Sequence, residues 1–439
     1  MAAASHPLAA APRARAIVSR IVIFGAAATV VTGLLIRHLH GGLGTATPPF
    51  VMVWGPRLDP LAAVSALAAA SAVALAPRVA SGVRRPAAFA TAALALALGL
   101  GLALNLARTG TRAWDATFDL GPSGSFEAAN EYLAGLPALS YGARFYLDRF
   151  AELVPSLAVH VAGHPPGPLL VLHALGISSS AGAATLCIVG GALGAPLTYA
   201  LGRTLAGERE GRAAALLFAC SPLTLLFGVT SFDYLFMSCG AAAACLLVSR
   251  RHDAQAAGAL ALAAATLMSW SLLAVGAWAV VVAWRRRGAR AALILAGTCA
   301  AAWLALNGGL AAAYGYDPIG TLHATEEVYR HSVAAVRPYA FWAFGSPVAW
   351  GVMLGLPIAA GALRSLTRGD DAAVALAFVI AIAALGGFTK AETERIWLFL
   401  VPLACVAAAP VVARGRTGVV LAALLAQALA VEVLFDTVW

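Results

Sequence analysis

Apolar residues run along this chain in long, nearly uninterrupted blocks, separated by short polar turns. The blocks are continuous and rich in Ala, Leu and Gly, and they do not alternate with polar residues. They predict helices and not the alternating strands of a membrane barrel. A bilayer core of about 30 Å takes about 20 helical residues. On that measure thirteen spans are predicted: 21–37, 59–77, 86–106, 180–202, 213–229, 232–248, 255–268, 271–284, 289–308, 343–363, 372–388, 395–413 and 417–435. The expected fold is all-α, a polytopic transmembrane bundle forming one integral membrane domain over 1–439. Two long polar segments interrupt it, at 107–164 and 309–342. The stretch 165–177 is apolar but too short to cross, and is expected to be a half-helix at the membrane face.

Composition strengthens this picture. Of 439 residues, 61% are hydrophobic and 11% charged, too few charges to solvate a water-soluble surface of this size. The six cysteines fall in apolar segments without metal-type or disulfide-framework spacing. The net charge of +9 raises nucleic acid as a partner, but the positions of the arginines argue otherwise. With the N-terminus inside and spans alternating, the inside turns hold Arg78, Arg84, Arg85, Arg203, Arg209, Arg212, Arg250, Arg251, Arg285, Arg286, Arg287, Arg290, Arg364, Arg368, Arg414 and Arg416, joined by Arg13, Arg15 and Arg20 ahead of the first span. Only Glu208, Glu210, Asp253, Asp370 and Asp371 of the 20 acids share those turns. The sorting follows the positive-inside rule. It predicts a multi-pass protein of the plasma (inner) membrane with a cytoplasmic N-terminus and both polar segments outside. No small-residue cleavage site follows the first apolar run, so that run is expected to be retained.

The outer segments carry the candidate chemistry. The first holds Asp119, then Pro-Ser-Gly-Ser over 122–125, then Glu127 and Glu131. Ser125 is expected to cap a short helix with the two glutamates on one face. A second interfacial helix is expected around Arg144 and Asp148, which are spaced to pair. His160 and His164 follow, the latter leading into Pro165, Pro166 and Pro168, a rigid entry to an apolar stretch. Asp233 begins a later span, and Tyr329, Arg330 and Arg337 belong to the second outer segment. Last comes Lys390, the sole lysine, with Glu392, Glu394 and Arg395 at the entry to a span, where charges are either paired or functional. Lys390 with Glu394 and Glu392 with Arg395 are the expected pairs.

Taken in order, these elements resemble the GT-C superfamily of membrane glycosyltransferases, on its polyprenyl- or dolichyl-phosphate-sugar-dependent side. Protein mannosyltransferases and aminoarabinose transferases are the nearest in layout. The resemblance covers roughly 107–400. It rests on an acidic residue in a long outer loop, on His164-Pro165-Pro166 lying 37 residues beyond Glu127, on Gly202-Arg203 with Gly211-Arg212, on Ser221-Pro222, on Asp233, and on Glu392-Thr-Glu394-Arg395-Ile-Trp397. The chain departs from the family in having two further spans before the loop and Phe126 where an adjacent acid is usual.

The resemblance implies transfer of a sugar from a polyprenyl-phosphate donor to an acceptor hydroxyl on the outer face. Asp119, Glu127 or Glu131 would be the base; His164, Lys390, Arg395 and Arg144 would surround the phosphate; Asp233, Glu392, Glu394, Tyr329 and Arg330 would line the substrate site. The implied partners are the lipid-linked sugar and membrane lipids, with no nucleic acid. Some GT-C enzymes use a divalent metal, although no acidic cluster in this sequence favours one, and no Rossmann or P-loop glycine pattern points to a nucleotide. A multi-pass transporter or flippase is the alternative, disfavoured by the scarcity of charge within the spans.

Overall fold

A computed structural model describes residues 12–111, 114–228 and 231–437, and in it the chain is almost wholly helical, 78% helix and 1% strand. Among the described residues six helices are long and apolar enough to cross a membrane: Ser19–His38, Ala62–Gly82, Pro86–Thr109, Ser180–Ala206, Ala289–Tyr314 and Thr417–Leu434. The chain is thus a helical bundle of membrane type. Arg13 and Arg15 lie in the first helix, Pro12–His38, but their side chains lie outside the described ones. Val229, where the predicted span 213–229 ends, also lies outside the described residues.

Thirteen blocks do not become thirteen helices of spanning length. The expected span 343–363 is two helices, Tyr339–Met353 and Leu356–Arg368, that meet at 115°. Gly355 turns the corner at φ 110°, and Pro357 starts the second helix. The region 213–229 breaks likewise, because Glu208–Cys220 stops before Ser221-Pro222. The two breaks are joined, Ser221 Oγ donating to the Leu354 carbonyl at 2.7 Å. The helices His252–Thr266 and Leu273–Arg287 have 15 residues each, about 22 Å of rise, which falls short of a hydrocarbon core. Phe232–Leu247, Asp371–Gly386 and Leu398–Val412 are apolar and similarly short. The stretch 165–177 holds only the eight-residue helix Gly167–Ala174.

The charge sorting seen in the sequence has a spatial counterpart. Arg212 donates to the carbonyls of Ala80 and Val83 at 2.6 Å. Arg209 donates to Ala413 O, Arg286 to Leu205 O, and Arg287 to Ser249 O. Arg285 and Arg286 both meet Asp371. These bonds gather the turns near 80, 205, 250, 286, 370 and 413 at one end of the bundle. The opposite end is tied by a two-residue ladder, Val53–Trp54 against Phe435–Asp436, and by Arg108 reaching Asp436 at 3.2 Å.

The first polar segment departs from expectation in detail. Ser125 makes no capping bond, and the chain forms two short 3₁₀ helices, Phe126–Asn130 and Tyr132–Leu139, that break at Glu131 with ψ 173°. Glu127 and Glu131 therefore do not share an α-helical face. Two like charges on one face repel; here the backbone extends at Glu131 and turns its carboxylate into the protein. Arg144 is exposed on Gly142–Asp148 and does not pair with Asp148; Arg149 takes Asp148 at 3.7 Å and Glu152 at 2.9 Å.

Candidate functional site

Four chain segments bring their charges together at the ladder end. The first is Glu131, 1% exposed, at the break between the 3₁₀ turns. The second is the short helix Val159–Ala162, which carries His160. The third is Asp233 in the first turn of Phe232–Leu247. The fourth is the segment from Lys390 to Trp397. Thr393 Oγ1 donates to the Ser346 carbonyl, and the Trp397 indole to Thr389 Oγ1, which lock that segment in place.

The bonds form a continuous line. Arg395 lies at its centre, 3% exposed, with Nη1 2.5 Å from Asp233 Oδ2. Its Nη2 lies 3.4 Å from Glu392 Oε2 and 3.4 Å from His160 Nε2. A guanidinium can only donate. His160 Nε2 is therefore the acceptor, and its proton sits on Nδ1, donated to Glu131 Oε1 at 2.8 Å. Glu392 Oε1 takes Arg337 Nη2 at 2.5 Å, and Arg337 Nη1 donates to the Lys390 carbonyl. The Lys390 amide donates to the Tyr329 hydroxyl at 2.7 Å, while its ammonium donates to Ala334 O at 3.3 Å.

Backbone strain holds this arrangement. Ala391 and Glu392 both sit at positive φ, 62° and 55°, in the left-handed region that non-glycine residues avoid. The strained pair aims Glu392 between Arg337 and Arg395. Burial alone would raise the Glu392 carboxyl, but the two guanidiniums outweigh it and hold it below the ordinary value. Glu394 makes no ion pair, and Arg337 acts on it only weakly. One of its oxygens accepts the Val51 amide at 2.9 Å, and burial pushes its carboxyl up to about 7. The Val51 contact pins the loop after the first helix onto the site.

Several buried polar atoms here have no partner: Glu131 Oε2, the Tyr132 hydroxyl, Glu394 Oε2 and Arg337 Nε. Buried polar groups are nearly always bonded, so a cluster of orphans marks a place where a ligand or water completes the set. Tyr132 lies against Phe232, His164 and Phe236, with ring centroids 4.4, 5.9 and 6.2 Å away. Burial, Asp233 and Glu131 hold its hydroxyl well above the ordinary phenol value, so it remains an O–H donor.

Of the residues singled out by sequence, the structure joins Glu131, Asp233, Glu392, Arg395, Lys390 and Tyr329 into one network, with Glu394 beside it. The others differ. Asp119 closes a turn, accepting the Gly121 amide at 2.8 Å. Glu127 is bonded by Asn130 at 3.2 Å. Arg330 is exposed and paired with Glu326. No hydrogen bond or ion pair connects Asp119, Glu127, Arg144 or Arg330 to the network. His164 is adjacent, but its Nδ1 lies 2.8 Å from the His160 carbonyl, which can only accept. Its proton is thus spent on the backbone, burial pushes its imidazole below the ordinary value, and Nε2 is left an acceptor. In this form Nε2 has no N–H to direct at an anion. His160 and Arg337 belong to the network although sequence had marked them only as members of polar segments, and the Tyr132 ring packs against it.

Three carboxylates, Glu131, Asp233 and Glu392, share two guanidiniums, Arg337 and Arg395, while the Lys390 ammonium bonds the Ala334 carbonyl. An anion would therefore be held by leftover N–H and O–H donors and not by a net positive field. Among the described residues no three of His, Cys, Asp and Glu converge as a metal site. No protein-family model matches this sequence, and no curated protein is significantly similar to it.

Proposed function

We propose that this chain is a membrane glycosyltransferase that moves a sugar from a polyprenyl-phosphate donor to an acceptor hydroxyl at the outer membrane face. The observation that carries the reading is Glu131, buried, held through one oxygen by His160 and free at the other. A general base needs this arrangement: an oriented carboxylate with an open lone pair. Glu131 would take the proton of the acceptor hydroxyl as that oxygen attacks the anomeric carbon, while the carbon–oxygen bond to the phosphate breaks and polyprenyl phosphate leaves. Arg337 Nε and the Tyr132 hydroxyl, both unpartnered, and the Lys390 ammonium would supply the donors for the leaving oxygens.

The position at one end of the bundle supports a substrate of this kind, because a lipid-linked sugar presents its phosphate at headgroup depth. The arginine-rich turns at the other end support an extracytoplasmic site. The test is transfer from a labelled polyprenyl-phosphate sugar by the reconstituted full chain. Glu131→Gln lowers turnover by roughly 10²–10⁴-fold, the range of a lost general base. Asp119→Asn and Glu127→Gln leave it within a few-fold. Full activity of Glu131→Gln rejects this mechanism.

A further inference from the structure

The arginine-rich end contains a cleft of about 390 Å³ that plays no part in the reading above. Its polar rim is formed by Arg286, Arg368, Arg414 and the turn at 369–371, its apolar wall by Leu205, Ala206 and Pro410. The four arginines nearby are not equivalent. Arg285 and Arg286 share Asp371, at 3.2 and 3.1 Å, and donate further to the carbonyls of Gly369 and Leu205. Both oxygens of Asp371 are thereby engaged. Arg368 and Arg414 are exposed, and among the described residues neither has a hydrogen-bond or ion-pair partner. One carboxylate, Asp370, is left on the cleft against these two free guanidiniums.

We infer that this cleft binds the phosphodiester headgroup of an anionic phospholipid from the adjoining leaflet. Arg368 and Arg414 fork onto the phosphate oxygens, and the acyl chains lie along Leu205, Ala206 and Pro410. Guanidiniums match phosphate geometry bidentately, and basic pockets between membrane helices suit lipid headgroups. The volume lies within the range of small-ligand sites, about 300–1,000 Å³. The apolar wall favours a lipid phosphate over a free one, because a soluble anion gains nothing from Leu205, Ala206 and Pro410.

The experiment is native mass spectrometry of the purified full-length chain, titrated with phosphatidylglycerol, with phosphatidylcholine or with inorganic phosphate. A retained phosphatidylglycerol adduct is expected, with neither other probe displacing it. Replacing both Arg368 and Arg414 with Gln weakens it roughly 30-fold, at about five-fold for each arginine near an anionic lipid surface. Replacing Arg416, exposed at the same end but outside the cleft, leaves it unchanged. Equal loss with Arg416→Gln, equal retention of phosphatidylcholine, or displacement by inorganic phosphate would each overturn the assignment. Thermal melting of each variant shows that the exposed changes have not unfolded the chain.

Discussion

Glu394 and Glu392 lie two residues apart and ionise in opposite directions. Glu392 meets two guanidiniums; Glu394 meets only a backbone amide. The raised carboxyl of Glu394 contributes stability that is fully present below about pH 4.5 and lost as pH rises through about 7. Ionising it in place costs about 3 kcal/mol, by the scale on which one pKa unit is about 1.4 kcal/mol. Glu394→Gln should melt with less dependence on pH between 4.5 and 7 than the parent chain, and should be the more stable of the two at pH 8. Parallel melting profiles over that window would refute the assignment. The residue types of the cluster could be read from sequence, since charged side chains at a span entry need partners. Of the two expected pairs, Glu392 with Arg395 forms at 3.4 Å, while the Lys390 ammonium meets the Ala334 carbonyl and not Glu394; the long-range partners could not be read. Glu131 finds His160 across 29 positions and Arg395 finds Asp233 across 162, so both contacts exist only after the bundle closes.

Close packing and local strain decide how the helices meet. Residues 194–206 and 208–220 cross where Gly202 faces Gly211; a Cβ on Gly211 would meet the Arg203 amide nitrogen at 2.7 Å and the Tyr199 carbonyl oxygen at 2.8 Å. Small residues allow membrane helices this approach. Gly211→Leu should therefore destabilise the chain by roughly 3 kcal/mol or more, since overpacking against backbone cannot relax by a side-chain turn. Ala391, wholly buried at positive φ, gives a second case: Ala391→Val should cost about 2 kcal/mol while Ala391→Gly is tolerated. Melting temperatures check both, and a parent-like melt for Gly211→Leu would show that the helices do not pack here. Sequence periodicity located most of these elements, but among the described residues six helices, and not thirteen, are long and apolar enough to cross a bilayer. An Ala/Leu run looks the same whether it is one span or two helices bent by 115° at Gly355.

For the whole molecule, charge placed in the sequence becomes two chemically distinct ends. One gathers the arginine turns near 80, 205, 250, 286, 370 and 413, held by carbonyls and Asp371. The other holds the buried carboxylate network and the Val53–Trp54 ladder. If the arginine end is cytoplasmic, reporter fusions after Arg251 and Gly288 should read inside and a fusion after Gly315 outside. All three on one side would break the assigned orientation.

The central claim is chemical, that this chain cleaves a lipid-linked sugar at the Glu131 site. The most direct measurement follows the fate of a doubly labelled polyprenyl-phosphate sugar in proteoliposomes of the full chain supplied with candidate acceptors. The account predicts that the sugar label separates from the polyprenyl label, and that Glu131→Gln stops the separation. Movement of the intact donor between leaflets with both labels still joined, unaffected by Glu131→Gln, would contradict it.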